Sequence, residues 1–220
     1  MSIDPGPVPS PSRFTLYSEH SSPFSAPVRV AIYAKGLDIP ILPPPDGLKS
    51  ATYHRINPMG TIPCLVRDDG FVLPESAAIL DYLDDLYPTP SLRPRDLETR
   101  ARVRVLQRIG ELGVMMSIVD LLQAAEQGHR DDALTGQRLT RLVRALASLN
   151  MFLVDHRFVD DGVLTLAECR LGPALAKVPD VMRAYGTGDL IAAYPVLANY
   201  FDRCRQEPSV RRVLEEMAGA

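Results

Sequence analysis

The chain has 220 residues, 46% hydrophobic and 23% charged, an ordinary globular composition with enough apolar mass for a core in one or two domains. Twenty-four basic side chains against twenty-seven acidic ones leave a net charge of −3, which argues against a dedicated nucleic-acid binder with its strongly basic footprint. Three cysteines, Cys64, Cys169 and Cys204, are too few for a disulfide framework and show no metal-ligand spacing, so a reducing cytoplasm and no metal are expected.

Residues 1–12 carry Pro5, Pro7, Pro9 and Pro11 among Ser and Gly. They lack the basic start and apolar centre of a leader peptide and read as a disordered tail. Phe14-Thr-Leu-Tyr17 suits a strand. A Ser/Pro loop follows, Ser21-Ser-Pro-Phe-Ser25, and then Val28 to Lys35 with helical spacing, stopped by Gly36. Ile39 to Leu42 reads as a second strand weakened by its proline, and residues 48–55 as a short helix. Ile62 to Val66 and Phe71 to Leu73 flank an Asp-Asp-Gly turn and predict a β-hairpin. Ile79, Leu80, Leu83 and Leu86 mark one face of a helix over 77–87.

Pro88, Pro90 and Pro94 then punctuate the chain, and from Asp96 onward only helical periodicity is found. Val105, Ile109, Leu112, Met116 and Val119 fall at helical spacing in one long segment, and Leu139, Leu142, Leu146, Leu149 and Leu153 in another. Thr165-Leu-Ala-Glu168 is a capping-box pattern opening a short buried helix, with a structural role. No stretch approaches the roughly 18 apolar residues of a membrane span, and no membrane association is expected. The expected organisation is an α/β domain over 13–87, a linker over 88–94 and an all-α domain over 95–220.

Three places carry possible chemistry. At Ile62-Pro63 a proline opens a run that otherwise reads as a core strand. Either the peptide is cis, leaving the Ile62 backbone free to pair with a small extended peptide, or this is an edge strand with a trans proline. Glu75-Ser76 precedes a helix. Ser76 either caps it or joins its N-terminus in holding a carboxylate, with Glu75 placed for an ammonium group. Ser22-Pro-Phe-Ser25 has the spacing of a CxxC motif with oxygen in place of sulfur, so dithiol exchange is excluded. Either hydroxyl can also serve as a helix cap. A serine nucleophile is not supported, because G-x-S-x-G and an accompanying acid–His pair are absent.

With Ser22-Pro-Phe-Ser-x-x-Val-Arg29, Asn57-Pro-Met-Gly-Thr-Ile-Pro63, Glu75-Ser76 before Ile79-Leu-Asp-Tyr-Leu83, and the capping box, the sequence resembles the glutathione transferase superfamily over nearly its whole length after the tail. The resemblance implies a thioredoxin-like first domain, an all-helical second domain and a homodimer. It also implies glutathione as co-substrate and a small hydrophobic electrophile as the other. Ile62, ahead of a cis Pro63, would pair with the cysteinyl unit, and Glu75 and Ser76 would hold the γ-glutamyl head. Lys49 would face the glycyl carboxylate, or else be a solvated loop charge. The plant-type and zeta-like pattern gives Ser22 the task of holding the thiolate. The theta- and delta-like pattern gives it to Ser25, and Pro23-Phe24 favours the first.

The electrophile would lie between Phe24 and the helix around Met115 and Met116, which are otherwise ordinary core. Cys64 reads as an inert buried thiol, and His20 as a solvated side chain or a group tuning the site. His54, His129 and His156 form no pattern. The arginines from Arg93 to Arg108 read as a solvated face, a subunit contact or a lure for anionic substrates. A second reading is a protein-binding module of the same fold, similar to the stringent starvation protein A type that associates with RNA polymerase.

Overall fold

The computed structural model describes residues 14–129, 132–154 and 164–219. The expected tail over 1–12 and His156 lie outside them. The first half builds β1 (Phe14–Tyr17), α1 (Ala26–Ala34), β2 (Ile41–Leu42), α2 (Ala51–Ile56), β3 (Cys64–Arg67), β4 (Val72–Pro74) and α3 (Ser76–Leu86). This is the expected order, with β2 shorter than expected. The sheet order is β2-β1-β3-β4; β2 runs parallel to β1, and β3 and β4 each run antiparallel to their predecessor in the sheet. Phe14 and Leu16 are buried while Thr15 and Tyr17 are half-buried, the alternation expected of a strand with one face on a core.

After α3 the described elements are helical: α4 (Leu97–Arg108), a π-helical segment (Ile109–Met115), α5 (Met116–Glu126), α6 (Ala133–Leu153), α7 (Leu166–Ala176), α8 (Val178–Tyr185), α9 (Pro195–Gln206) and α10 (Pro208–Ala218). Among the described residues, no helix is long and apolar enough to cross a membrane. Leu142, Leu146, Leu149 and Leu153 are buried as their spacing predicts. The reading of the preceding helix is corrected. Val105, Leu112 and Met116 are exposed, at 40%, 52% and 37%, while Val103, Leu106, Val114, Ile118 and Leu121 form the buried face. The π segment adds residues to a turn and so shifts which positions face inward. It also lies close to its neighbours: a Cβ at Gly110 would meet Leu171 Cδ2 at 2.6 Å.

Helix α7 is the hub. It packs against α1, α4, the π segment, α8, α9 and α10, and Leu166 to Leu175 are all buried. Its capping box is present: Thr165 accepts from the Ala167 N–H, and the Glu168 carboxylate accepts from the Thr165 N–H at 2.8 Å. Tyr200 donates a further bond to Glu168 at 2.8 Å. The helix is buried, so its first N–H groups have no water to turn to and the cap satisfies them internally.

The turn after α3 is fixed by a buried ion cluster. Asp84 accepts from Lys35 Nζ at 2.7 Å, from Arg93 Nε at 2.8 Å and from the Leu92 N–H at 2.7 Å. Lys35 also donates to the carbonyls of Tyr87 and Pro90. Arg93, read as part of a solvated arginine face, is therefore a structural ion-pair partner. Burial alone would raise the Asp84 pKa, but these donors more than offset it and hold it below the usual carboxylate value. A carboxylate depressed in the folded state contributes stability above its unfolded pKa of about 3.9 and loses it as pH falls through the folded value. Asp84→Asn leaves Lys35 buried without its counter-charge, and we expect a loss of about 3–5 kcal/mol in urea unfolding at pH 7. The deficit should shrink toward acid pH, where the native carboxylate is itself protonated.

Candidate functional site

The strand register brings the candidate residues to one end of the sheet. Cys64 pairs with Tyr17 on β1 and with Pro74 on β4, and Tyr17 pairs with Leu42 on β2. The Ser22 loop leaves the end of β1, the Lys49 loop leaves the end of β2, Ile62-Pro63 enters β3, and Glu75-Ser76 leaves β4. All these segments meet at that edge, and α1 and α3 both begin there. Helix N-termini favour negative charge.

The loop before β3 is braced. Asn57 Nδ2 and the Tyr53 hydroxyl both donate to the Thr61 carbonyl, at 2.8 and 2.7 Å, and Asn57 Oδ1 accepts from the Met59 N–H. Gly60 closes the turn at φ +62, and a Cβ there would collide with the His54 ring. The Ile62–Pro63 peptide is cis. Ile62 is half-buried, and its backbone N–H and C=O make no hydrogen bond among the described residues. Burial pushes the Tyr53 hydroxyl up to about 12 and the Cys64 thiol up to about 11, so Cys64 is held as a neutral thiol.

The two serines of the first loop differ. Ser22 is half-exposed, and its Oγ accepts from the Ser25 N–H at 3.3 Å. Its carbonyl accepts from the Ala26 N–H, so Ser22 supports the start of α1. Ser25 is fully buried and its Oγ has no partner; it occupies the cap position without a side-chain cap bond. The loop is anchored by the buried Arg29, which donates to the His20 carbonyl at 2.7 Å and to Glu216 of α10 at 2.7 Å. Tyr33 donates to the same carboxylate at 2.8 Å. His20, half-exposed, lies 2.9 Å from the Arg29 guanidinium and belongs to this anchor.

At α3 the residue in the cap position is Glu75, exposed and on left-handed backbone at φ +72, and no side chain caps the helix. The reading of Ser76 as a cap is corrected: it is the first helical residue, 5% exposed, and its Oγ accepts from Arg170 Nη2 of α7 at 2.8 Å. Sequence reasoning missed Arg170. The available signal was one arginine inside the short helix that the capping box marks as buried. Lys49 is exposed, one residue before Ser50, which caps α2 by accepting from the Tyr53 N–H. Met115 is buried and Met116 is 37% exposed, so these neighbours face different ways and do not form one wall. Phe24 is half-buried against the core.

Comparison with known proteins agrees with the fold. Residues 16–91 match the glutathione S-transferase N-terminal domain and residues 123–203 the C-terminal domain. A maleylacetoacetate isomerase from Pseudomonas aeruginosa is 31% identical, over 82% of this chain and 92% of its own. A stringent starvation protein A homologue from Coxiella burnetii is 30% identical, over 76% and 77%. A crystal structure of a glutathione S-transferase from Methylobacillus flagellatus with glutathione bound superposes with a TM-score of 0.78 at 24% identity, over 91% and 98%. With a small mixed sheet domain, a helical domain and matches of this extent, the chain belongs to the glutathione transferase superfamily.

Proposed function

We propose that the protein binds glutathione at this sheet end, holds the cysteinyl sulfur as a thiolate through Ser22, and adds that sulfur to a small hydrophobic electrophile. The observation that carries the reading is the unpaired backbone of Ile62 lying between a half-exposed serine hydroxyl and the uncapped start of α3. In this reading Ile62, beside Pro63, pairs with the cysteinyl unit. Glu75 takes the γ-glutamyl ammonium group and Ser76 the carboxylate, while the exposed Lys49 faces the glycyl carboxylate. The glutathione in the Methylobacillus structure supports the choice of co-substrate.

Ser22 is favoured over Ser25 by exposure and by bonding. Its lone pair already accepts from the Ser25 N–H, so its proton is free to be donated outward, whereas Ser25 is sealed in the core. A free thiol of pKa about 8.5 is mostly protonated at neutral pH, and lowering it by two units takes about 2.7 kcal/mol. A hydrogen bond to an anion contributes about 1.5–3 kcal/mol, and the start of α1 adds about 0.3–1. The thiol proton leaves to solvent, the sulfur lone pair forms a bond to an electron-poor alkene carbon as the alkene π bond breaks toward its activating carbonyl, and a proton from solvent completes the adduct. The same addition serves conjugation and, if reversed after bond rotation, isomerisation. The Pseudomonas relative supports the second outcome.

We also read the protein as a cytoplasmic homodimer, with domains over 13–87 and 95–220 joined by 88–94. Val105, Leu112 and Phe152 are exposed along an open groove of about 730 Å³ between α4, the π segment and α6. Its lining residues include none of the candidate site, and a second copy of the chain would cover it. Leu112→Asp is expected to shift sedimentation from dimer toward monomer.

The Coxiella relative supports the alternative of a protein-binding module. Calorimetry separates the two, since no binding heat at millimolar glutathione selects the module. For the enzyme, Ser22→Ala should raise the thiol pKa of bound glutathione by about one to two units, at 1.36 kcal/mol per unit, as read by ultraviolet titration of the thiolate. Ser25→Ala should leave that pKa unchanged; the reverse result moves the role to Ser25.

A further inference from the structure

Arg170 is 1% exposed in the middle of α7. The one hydrogen bond of its side chain among the described residues runs from Nη2 to Ser76 Oγ, and its Nε and Nη1 are buried with no acceptor. No described carboxylate lies within ion-pair distance of it. Glu111, on the adjacent π segment, is held by Arg108 at 2.9 Å, and Glu75 is exposed at the start of α3. Burial lowers the Arg170 pKa from its ordinary value, with Glu111 and Glu75 acting the other way from a distance and Arg108 with it. A guanidinium nevertheless stays protonated. The fold therefore keeps a buried cation without a counter-ion, an arrangement that costs stability unless a negative charge arrives.

The placement is rigid. The stem of Arg170 runs past Gly110, where a Cβ would sit 3.3 Å from Arg170 Cγ. The direction of the bond to Ser76 is also fixed, because a guanidinium has only donors. Ser76 Oγ is thus the acceptor, and its own proton points elsewhere, at the start of a helix of 11 residues with no side-chain cap and no acidic residue in its first turn. One hydroxyl proton, helix N–H groups and a cation behind them form a donor set for an anion.

We infer that Arg170 is the positioning residue that makes the start of α3 selective for a carboxylate, acting through the Ser76 hydroxyl. This rests on the glutathione reading, in which the α-carboxylate of the γ-glutamyl unit supplies the charge that the fold omits. Arg170 itself need not touch the ligand.

The test is calorimetric titration of the full chain with glutathione and with 4-aminobutanoyl-cysteinylglycine, which lacks only that carboxylate. Wild type should prefer glutathione by about tenfold or more, equivalent to 1.4 kcal/mol. Arg170→Met should bind the two ligands within about twofold of each other, while its ligand-free form unfolds at an equal or higher urea concentration, as expected when an unpaired buried cation is removed. Arg170→Lys should restore part of the preference. Ser76→Ala should remove it to the same extent, and the double variant should lose nothing more. Full preference retained in Arg170→Met overturns the assignment, as does equal weakening toward both ligands together with lower stability, the mark of a packing role. If the Met variant does not fold, preference surviving in Ser76→Ala overturns it equally. Wild type that binds both ligands alike sinks the carboxylate role alone, whereas wild type that binds neither sinks the glutathione reading and this inference with it.

Discussion

The candidate site depends on one register. Cys64 faces Tyr17 on one side and Pro74 on the other, and this pairing places the end of β1, the start of β3 and the end of β4 at a common edge. The parallel β1–β2 pair adds the end of β2 to the same edge. A slip of one residue in β3 would turn Leu65 out of the core and carry Ile62 away from the Ser22 and Ser76 loops. The hairpin turn lies at the opposite end, so the site edge is left to loops and helix starts. The start of α3 has no side-chain cap, while the N–H groups of the first turn of α1 are already bonded to the Ser22 and Ser25 carbonyls, so α1 adds only its dipole at this edge. An extended, polyanionic peptide is a natural guest for such an edge, since it can use backbone pairing and helix dipoles together.

The helical domain contributes to this edge through α7 and α10. Helix α7 lies buried between α1 and the long α4–α5 rod, and its capping box closes its N-terminus within the core. From that position Arg170 reaches Ser76, and from α10 Glu216 reaches Arg29 and Tyr33. One crossing grips the start of α3 at Ser76, and the other grips α1, whose Arg29 holds the His20 carbonyl of the Ser22 loop. The second domain thus sets the geometry of the first domain's site as well as packing against it.

Most of the fold was legible because local pattern and tertiary role agree. Phe14 and Leu16 alternate with polar neighbours, the Leu142 to Leu153 stripe is buried where its spacing says, and Thr165-Leu-Ala-Glu168 forms the cap its residues encode. The serine loop, Ile62-Pro63 and Glu75-Ser76 were legible because each is a short contiguous motif. The outer stripe of Val105, Leu112 and Met116 misled, since periodicity reports that a face is apolar and not which surface will cover it. The π segment compounds the error by changing the repeat midway. Arg170 was not legible in its role at all. Its partner lies 94 residues away, and nothing in the local sequence says that a guanidinium in α7 ends at the start of α3.

The serines of the site follow a common electrostatic logic. A hydroxyl is a neutral group that becomes a directed donor once its lone pair is engaged by another donor. At Ser22 that donor is a backbone N–H, and at Ser76 it is a guanidinium. Ser25, buried without a partner, has no such direction. The difference between the two donors suits the two anions proposed. A carboxylate is ionised throughout the neutral range, so a permanent cation behind its hydroxyl strengthens binding without altering its protonation state. A thiol must lose a proton to bind as an anion and must then remain nucleophilic, and full charge neutralisation by a cation would lower its basicity too far. A neutral amide behind Ser22 stabilises the sulfur by a modest amount and leaves its lone pairs available for attack. Under the proposed function, the placement of one charged and one uncharged donor would separate the holding of glutathione from its activation.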